Sequence, residues 1–138
     1  MRISARNQLF SQVVKVQEGA VNGIVTLEFA GETITGTISM AAINELELVP
    51  GKKAIAIIKA TEVMIGIGDM TLSARNKITG IVSNINEGAV NAIVTLDIAG
   101  GNKISSTISM AAVKELGLTV GTKAVAVIKA TSVMFGVK

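Results

Sequence analysis

Four short polar motifs occur twice in this chain, in the same order. Ser4, Ala5, Arg6 and Asn7 return 69 residues later as Ser73, Ala74, Arg75 and Asn76. Each set joins a hydroxyl, a guanidinium fork and a carboxamide. A Glu-Gly-Ala-Val-Asn stretch carries Gly19, Val21 and Asn22, then Gly88, Val90 and Asn91. Thr37 and Ser39 of Thr-Ile-Ser-Met-Ala-Ala reappear as Thr107 and Ser109. Lys59, Ala60 and Thr61 reappear as Lys129, Ala130 and Thr131. The offset grows from 69 to 70 between the second and third motifs, which places one extra residue near Gly101.

Nearly all these groups are hydrogen-bond donors: hydroxyls, amides, Arg, Lys and the backbone N–H groups around them. A pocket of donors suits a fully deprotonated oxyanion. It disfavours monohydrogen phosphate, whose proton would need an acceptor. Each motif also has a plainer reading. Arg6 and Arg75 could be surface arginines. Lys59 and Lys129 could snorkel from the ends of buried strands. Ser39 and Ser109 could simply cap helices, although hydroxyls and amides at a helix N-terminus also form a natural anion site. Gly19 and Asn22 could serve only a turn. Met40, Met64, Met110 and Met134 read as core fillers. For Ser-Ala-Arg-Asn the duplication favours a repeated site, because drift would scatter a mere surface pattern.

Composition narrows the chemistry further. Among 138 residues there is no His, Cys, Trp or Tyr. The usual general acid–base and nucleophilic residues are therefore largely missing, and an enzyme is not expected. Thiolate or imidazole metal sites are excluded, and no cofactor is implied. A net charge of +3 is too small for nucleic-acid binding by charge but suits a small anion. With only Phe10, Phe29 and Phe135 as aromatics, a base-stacking barrel is disfavoured. No phosphate-binding Gly-Lys-Ser/Thr loop marks an ATPase. The expectation is no nucleic acid, no membrane span, no signal peptide and, with no cysteine, a cytoplasmic setting. Hydrophobic residues make up 49% of the chain. A unit of about 65 residues is marginal alone, so a homo-oligomer should cover the surplus apolar surface.

The elements that must hold these motifs read the same way in each half. A long strand over residues 3–16 meets the Glu-Gly-Ala-Val-Asn turn. Val25, Leu27 and Phe29 then alternate with Ile24, Thr26 and Glu28, as Val94, Leu96 and Ile98 do with Ile93, Thr95 and Asp97, which is the period of half-buried strands. Tight turns at residues 30–32 and 99–102 lead to returning strands, the second turn lengthened by the extra residue. Short helices follow Ser39 and Ser109. Gly117 is placed to end the second, and Pro50-Gly51 marks the corresponding turn in the first. Apolar strands then run to Lys59 and Lys129, and residues 63–65 and 133–135 close each unit. The expected class is all-β: two tandem OB-like five-stranded barrels, each with one short helix. Periodicity alone leaves other small barrels open. The expected units are residues 1–66 and 72–138, joined by a linker at 67–71.

The same motifs carry a resemblance. SARNQ, EGAVN followed by VTLEFAG or VTLDIAG, TISMAAVKELG and AVIKATSVM resemble the molbindin (Mop-domain) family, the transport-associated OB fold. The likeness spans the chain twice, as in a tandem di-molbindin. It implies binding of molybdate and tungstate for storage or homeostasis in the cytoplasm, in a ring-like oligomer, here a trimer, with sites between subunits. Carried over, the site uses Ser4, Ala5 and Arg6 with Asn7, facing Lys59, Ala60 and Thr61, with Thr37 and Ser39 from a neighbour. The second copy uses Ser73, Ala74, Arg75, Asn76, Lys129, Ala130, Thr131, Thr107 and Ser109. A second class of site would involve Gly19, Val21, Asn22, Gly88, Val90 and Asn91. Gln8 fits the family pattern whereas Lys77 departs from it, so the two halves should differ in affinity. The alternative is an oxyanion-sensing module acting with a transporter or a transcription regulator.

Overall fold

The computed structural model describes residues 2–69 and 71–138; Met1 and Met70, the latter within the expected linker, lie outside the described residues. Ten strands form two five-stranded antiparallel sheets. In the first half these are β1 (Asn7–Gln17), β2 (Asn22–Phe29), β3 (Glu32–Ser39), β4 (Lys53–Ile58) and β5 (Met64–Gly66). The second half repeats them as β6 (Asn76–Glu87), β7 (Asn91–Asp97), β8 (Lys103–Ser109), β9 (Lys123–Ile128) and β10 (Met134–Gly136). Helices α1 (Met40–Glu45) and α2 (Met110–Leu116) follow the third strand of each half. The expected all-β class with two OB-like barrels is what forms.

Alternation builds the core. Val25, Leu27 and Phe29 point inward, as do Val94, Leu96 and Ile98, while Glu28 and Asp97 face solvent. The buried residues of both barrels form one continuous apolar cluster. Burying each such side chain is worth about 1.5–3 kcal/mol. The long first strands bend at matching bulges, between Val13 and Lys15 and between Val82 and Asn84. A bulge of this kind lets one strand serve both faces of a small barrel.

Two expectations need correction. The first strand begins at Asn7, not at residue 3. Asn7 is opposite Ile58, the last residue of β4, and Lys59 turns away into a 3-10 turn at Ala60–Glu62, so residues 3–6 have no ladder to join. Nor do residues 63–65 and 133–135 close their own units. The sheet orders are β10-β4-β1-β2-β3 and β5-β9-β6-β7-β8, so each half lends its last strand to the other barrel. Met134 lies opposite Ile57, and Met64 opposite Val127. Val63 and Val133 thereby become buried, each on the far side of the exchange. The methionine reading also changes: Met40 and Met110 pack on the core, but Met64 and Met134 are 47% and 42% exposed.

Candidate functional site

The ladder registers bring the two most distinctive motifs together. Asn7 pairs with Ile58 and Asn76 with Ile128. Arg6 and Lys59 therefore flank one end of the β1–β4 ladder, and Arg75 and Lys129 the same end of β6–β9. All four side chains are exposed. Among the described residues the one ion pair is Lys103 with Asp97, so these four cations have no carboxylate partner.

Around the second copy the motifs line a cleft of about 840 Å³. Ser73, Ala74 and Arg75 contribute from one side and Lys129, Ala130 and Thr131 from the other. The exchanged strand β5 supplies a further wall through Met64, Ile65 and Gly66. Several lining groups were not in the set expected from sequence, Thr79, Leu116 and Val125 among them, and three change the character of the wall. Lys77 adds a cation, Leu72 an apolar edge, and Asp69 a carboxylate. Lys77 could be found by its place beside the motif. Asp69 lies four residues before Ser73, close enough along the chain to reach the same cleft, but it belongs to none of the repeated motifs. The wall is thus rich in donors with one acceptor, rather than made of donors alone.

Asn7 and Asn76 do something else. Both are buried. The Asn7 carboxamide donates to the Ser105 carbonyl and accepts from the Ser105 N–H, both at 2.8 Å. Asn76 makes the same pair of bonds with Thr35, both at 2.8 Å. Each amide imitates one rung of a β-ladder and clamps its half to a strand of the other barrel. Neither lines the cleft. The 3-10 turns carrying Lys-Ala-Thr also meet across this junction, where the Ser132 hydroxyl donates to Glu62 at 3.1 Å.

The helix N-termini are capped. Ser39 Oγ accepts from the Ala42 N–H at 3.1 Å and Ser109 Oγ from the Ala112 N–H at 3.0 Å. The Met40 and Met110 N–H groups donate to the Val21 and Val90 carbonyls, each at 2.8 Å. These contacts also tie the Glu-Gly-Ala-Val-Asn turns to the helices, and Gly88 N–H closes its turn on the Asn91 carbonyl at 2.8 Å. Two amides of each first turn are thereby occupied. The Ser39 and Ser109 hydroxyl protons remain to donate. Thr37, Ser39, Thr107 and Ser109 do not line the cleft of this chain. Val21 and Val90 stand 74% and 73% exposed at the turn tips.

Two barrels that exchange their last strands and carry a duplicated cationic rim define a tandem β-barrel class. The chain belongs to the TOBE domain family, which matches residues 3–65 and 72–135. It is similar over its whole length to a solved structure of the cytoplasmic molybdate-binding protein ModG with molybdate bound: 42% identical, TM-score 0.97, covering 100% of both chains. It is 62% identical over 69 residues to a probable molybdenum-pterin-binding protein of Haemophilus influenzae, which spans 50% of this chain and 100% of that one. It is 38% identical over 141 residues to the molybdenum transport protein ModE of Herbaspirillum seropedicae. The match covers 100% of this chain and 52% of that protein, so the chain spans about half the length of this relative.

Proposed function

We propose that the protein binds molybdate and tungstate and acts in their intracellular storage or homeostasis. The observation that carries this is the unpaired Arg75 and Lys129 brought together with Ser73 and Thr131 in one cleft, in a chain that shares its fold at TM-score 0.97 with a molybdate-bound protein. Arg75 supplies a planar fork and Lys129 a point charge. Hydroxyls of Ser73 and Thr131 and the amides near Ala74 and Ala130 complete a donor-rich shell, with Asp69 the one carboxylate in the lining. Ser4, Ala5, Arg6, Lys59, Ala60 and Thr61 do the same in the first half.

Among the described residues thirteen large apolar side chains remain exposed, Phe10, Val21 and Val90 among them. They support a homotrimer, in which Thr37, Ser39, Thr107 and Ser109 of a neighbouring copy close the sites. In such an assembly the Gly19–Asn22 and Gly88–Asn91 turns frame a second class of site. The role is binding rather than catalysis. The ModE relative, about twice as long, favours one alternative: an oxyanion-sensing module that works with a transporter or a regulator.

Calorimetry with four anions tests the reading. Molybdate and tungstate should bind well, the smaller sulfate weakly and phosphate poorly. Equal binding of phosphate would remove the donor-shell argument. Light scattering that gives a mass near 14.2 kDa at micromolar concentration would remove the trimer and its shared sites.

A further inference from the structure

The two exchanged strands meet receiving barrels that differ at several matched positions. Ile55 and Ile57 of β4 stand where β9 has Val125 and Val127, and the change that alters a buried contact most is on the third strand. In the first barrel Gly36 of β3 faces β10. A Cβ there would lie 2.5 Å from two carbons of the Phe135 ring and 3.1 Å from Val133 Cβ. In the second barrel the corresponding residue is Ser106 of β8. Gly36 lies opposite Val25 and Ser106 opposite Val94, which are themselves equivalent. Ser106 is fully buried, and its hydroxyl donates to the Val63 carbonyl beside β5. Phe135 lies opposite Ala56, and its equivalent Ile65 opposite Ala126. One barrel thus pairs a hole with a ring, and the other pairs a small polar knob with an aliphatic side chain.

We propose that Gly36 with Phe135, and Ser106 with Ile65, make barrel closure heterotypic: each barrel selects the last strand of the other half and rejects its own. Were each barrel closed by the strand of its own kind, in one chain or between two copies, both contacts would fail. Phe135 would drive its ring onto Ser106 Cβ and displace a buried hydroxyl from its acceptor. Ile65 would leave a void over Gly36. Overpacking and cavities are each destabilising, so the two mismatches act together. The partner that fits each exchanged strand is therefore the opposite half. Copies of this chain associate through their faces rather than by trading closing strands.

Full-length variants test this in two ways. In thermal unfolding, G36S and I65F should each lower Tm by about 3–10 °C, the range expected for one overpacked core contact in a chain of this size. The repaired pairs G36S/F135I and I65F/S106G should recover at least half of that loss. Strict additivity, or failure of G36S/F135I to fold, overturns the proposal even if G36S alone does not fold. The second test moves only the closing residues, in I65F/F135I, so that own-kind closure becomes the matched one. The chain has no cysteine, so engineered pairs report closure. I55C/G136C joins positions opposite each other in the exchanged state, and I55C/G66C reports own-kind closure. Without the strand change only the first pair should oxidise. With I65F/F135I the second should gain at its expense. An unchanged cross-linking pattern overturns the proposal.

Discussion

At the end of α1 the first half holds Glu47 in the left-handed region at φ 53°, where the second half has Gly117 at φ 64°. At the hairpin the first half turns on Ala30 and Gly31, φ 49° and 82°. The second spends its extra residue on a 3-10 turn, Ala99–Gly101, held by Asn102 Nδ2 donating to the Ala99 carbonyl at 3.0 Å. Beside the arginine, Gln8 donates to the Ala5 carbonyl at 3.2 Å and steadies the first segment, while Lys77 opens into the second cleft. Against these differences the asparagine clamps are the same to within the quoted distances. The duplicated chain has kept the contacts that hold the halves together and has let the surroundings of its two candidate sites diverge.

The comparison predicts its largest effects where the halves agree. Asn7→Ala and Asn76→Ala should each cost about 2 kcal/mol or more, because each strands a backbone N–H and C=O on a partly buried strand. Denaturant unfolding should give similar losses for the two. A loss in only one would show that the clamps are not equivalent. Next come the arginines. Arg6→Ala with Arg75→Ala should leave the fold intact and remove charge-assisted bonds of about 1.5–3 kcal/mol per site, roughly a tenfold to hundredfold fall in molybdate affinity. Unchanged binding in calorimetry would return these residues to ordinary surface arginines.

Smaller effects probe the divergence. The single Arg75→Ala variant should lose less affinity than Arg6→Ala, since Lys77 still supplies a cation where the first half has the neutral Gln8. Equal losses would erase the predicted inequality of the halves. Glu47→Gly should raise stability by up to about 1 kcal/mol by relieving a left-handed non-glycine residue, and Gly117→Ala should lower it by a similar amount. Asp97→Asn marks the lower end. The Lys103 hydrogen bond, aided by Ser83 and the Lys103 charge and opposed by desolvation, holds Asp97 below its ordinary value of 3.8. A depressed carboxyl stabilises the fold above that value and loses its contribution as pH falls through the lower folded one. At pH 7 in physiological salt screening leaves the exposed pair worth little, so Asp97→Asn should lower Tm only slightly there. That small difference should disappear in strongly acid solution.

Much of this arrangement was legible along the chain. The strict alternation of Val25, Leu27 and Phe29 dictates one buried face, since side chains in a strand point to opposite sides in turn. Ser39, Ser109 and Gly117 mark helix ends because their chemistry satisfies groups that a helix cannot satisfy itself. The duplicated Arg and Lys motifs announced two matched cationic ladder ends, for drift does not preserve four polar motifs in order without a shared reason. Those are local rules, and they act within a few residues. Three features lay beyond their reach. The exchange of β5 and β10 depends on which barrel each strand finds in space, and identical local propensity permits either choice. The use of Asn7 and Asn76 as clamps depends on Ser105 and Thr35, 98 and 41 residues away. Met64, Ile65 and Gly66 wall the second cleft only because β5 has crossed over first. Sequence determined what each half could become; the packing of one half against the other decided which strand closes which barrel and what lines the cleft.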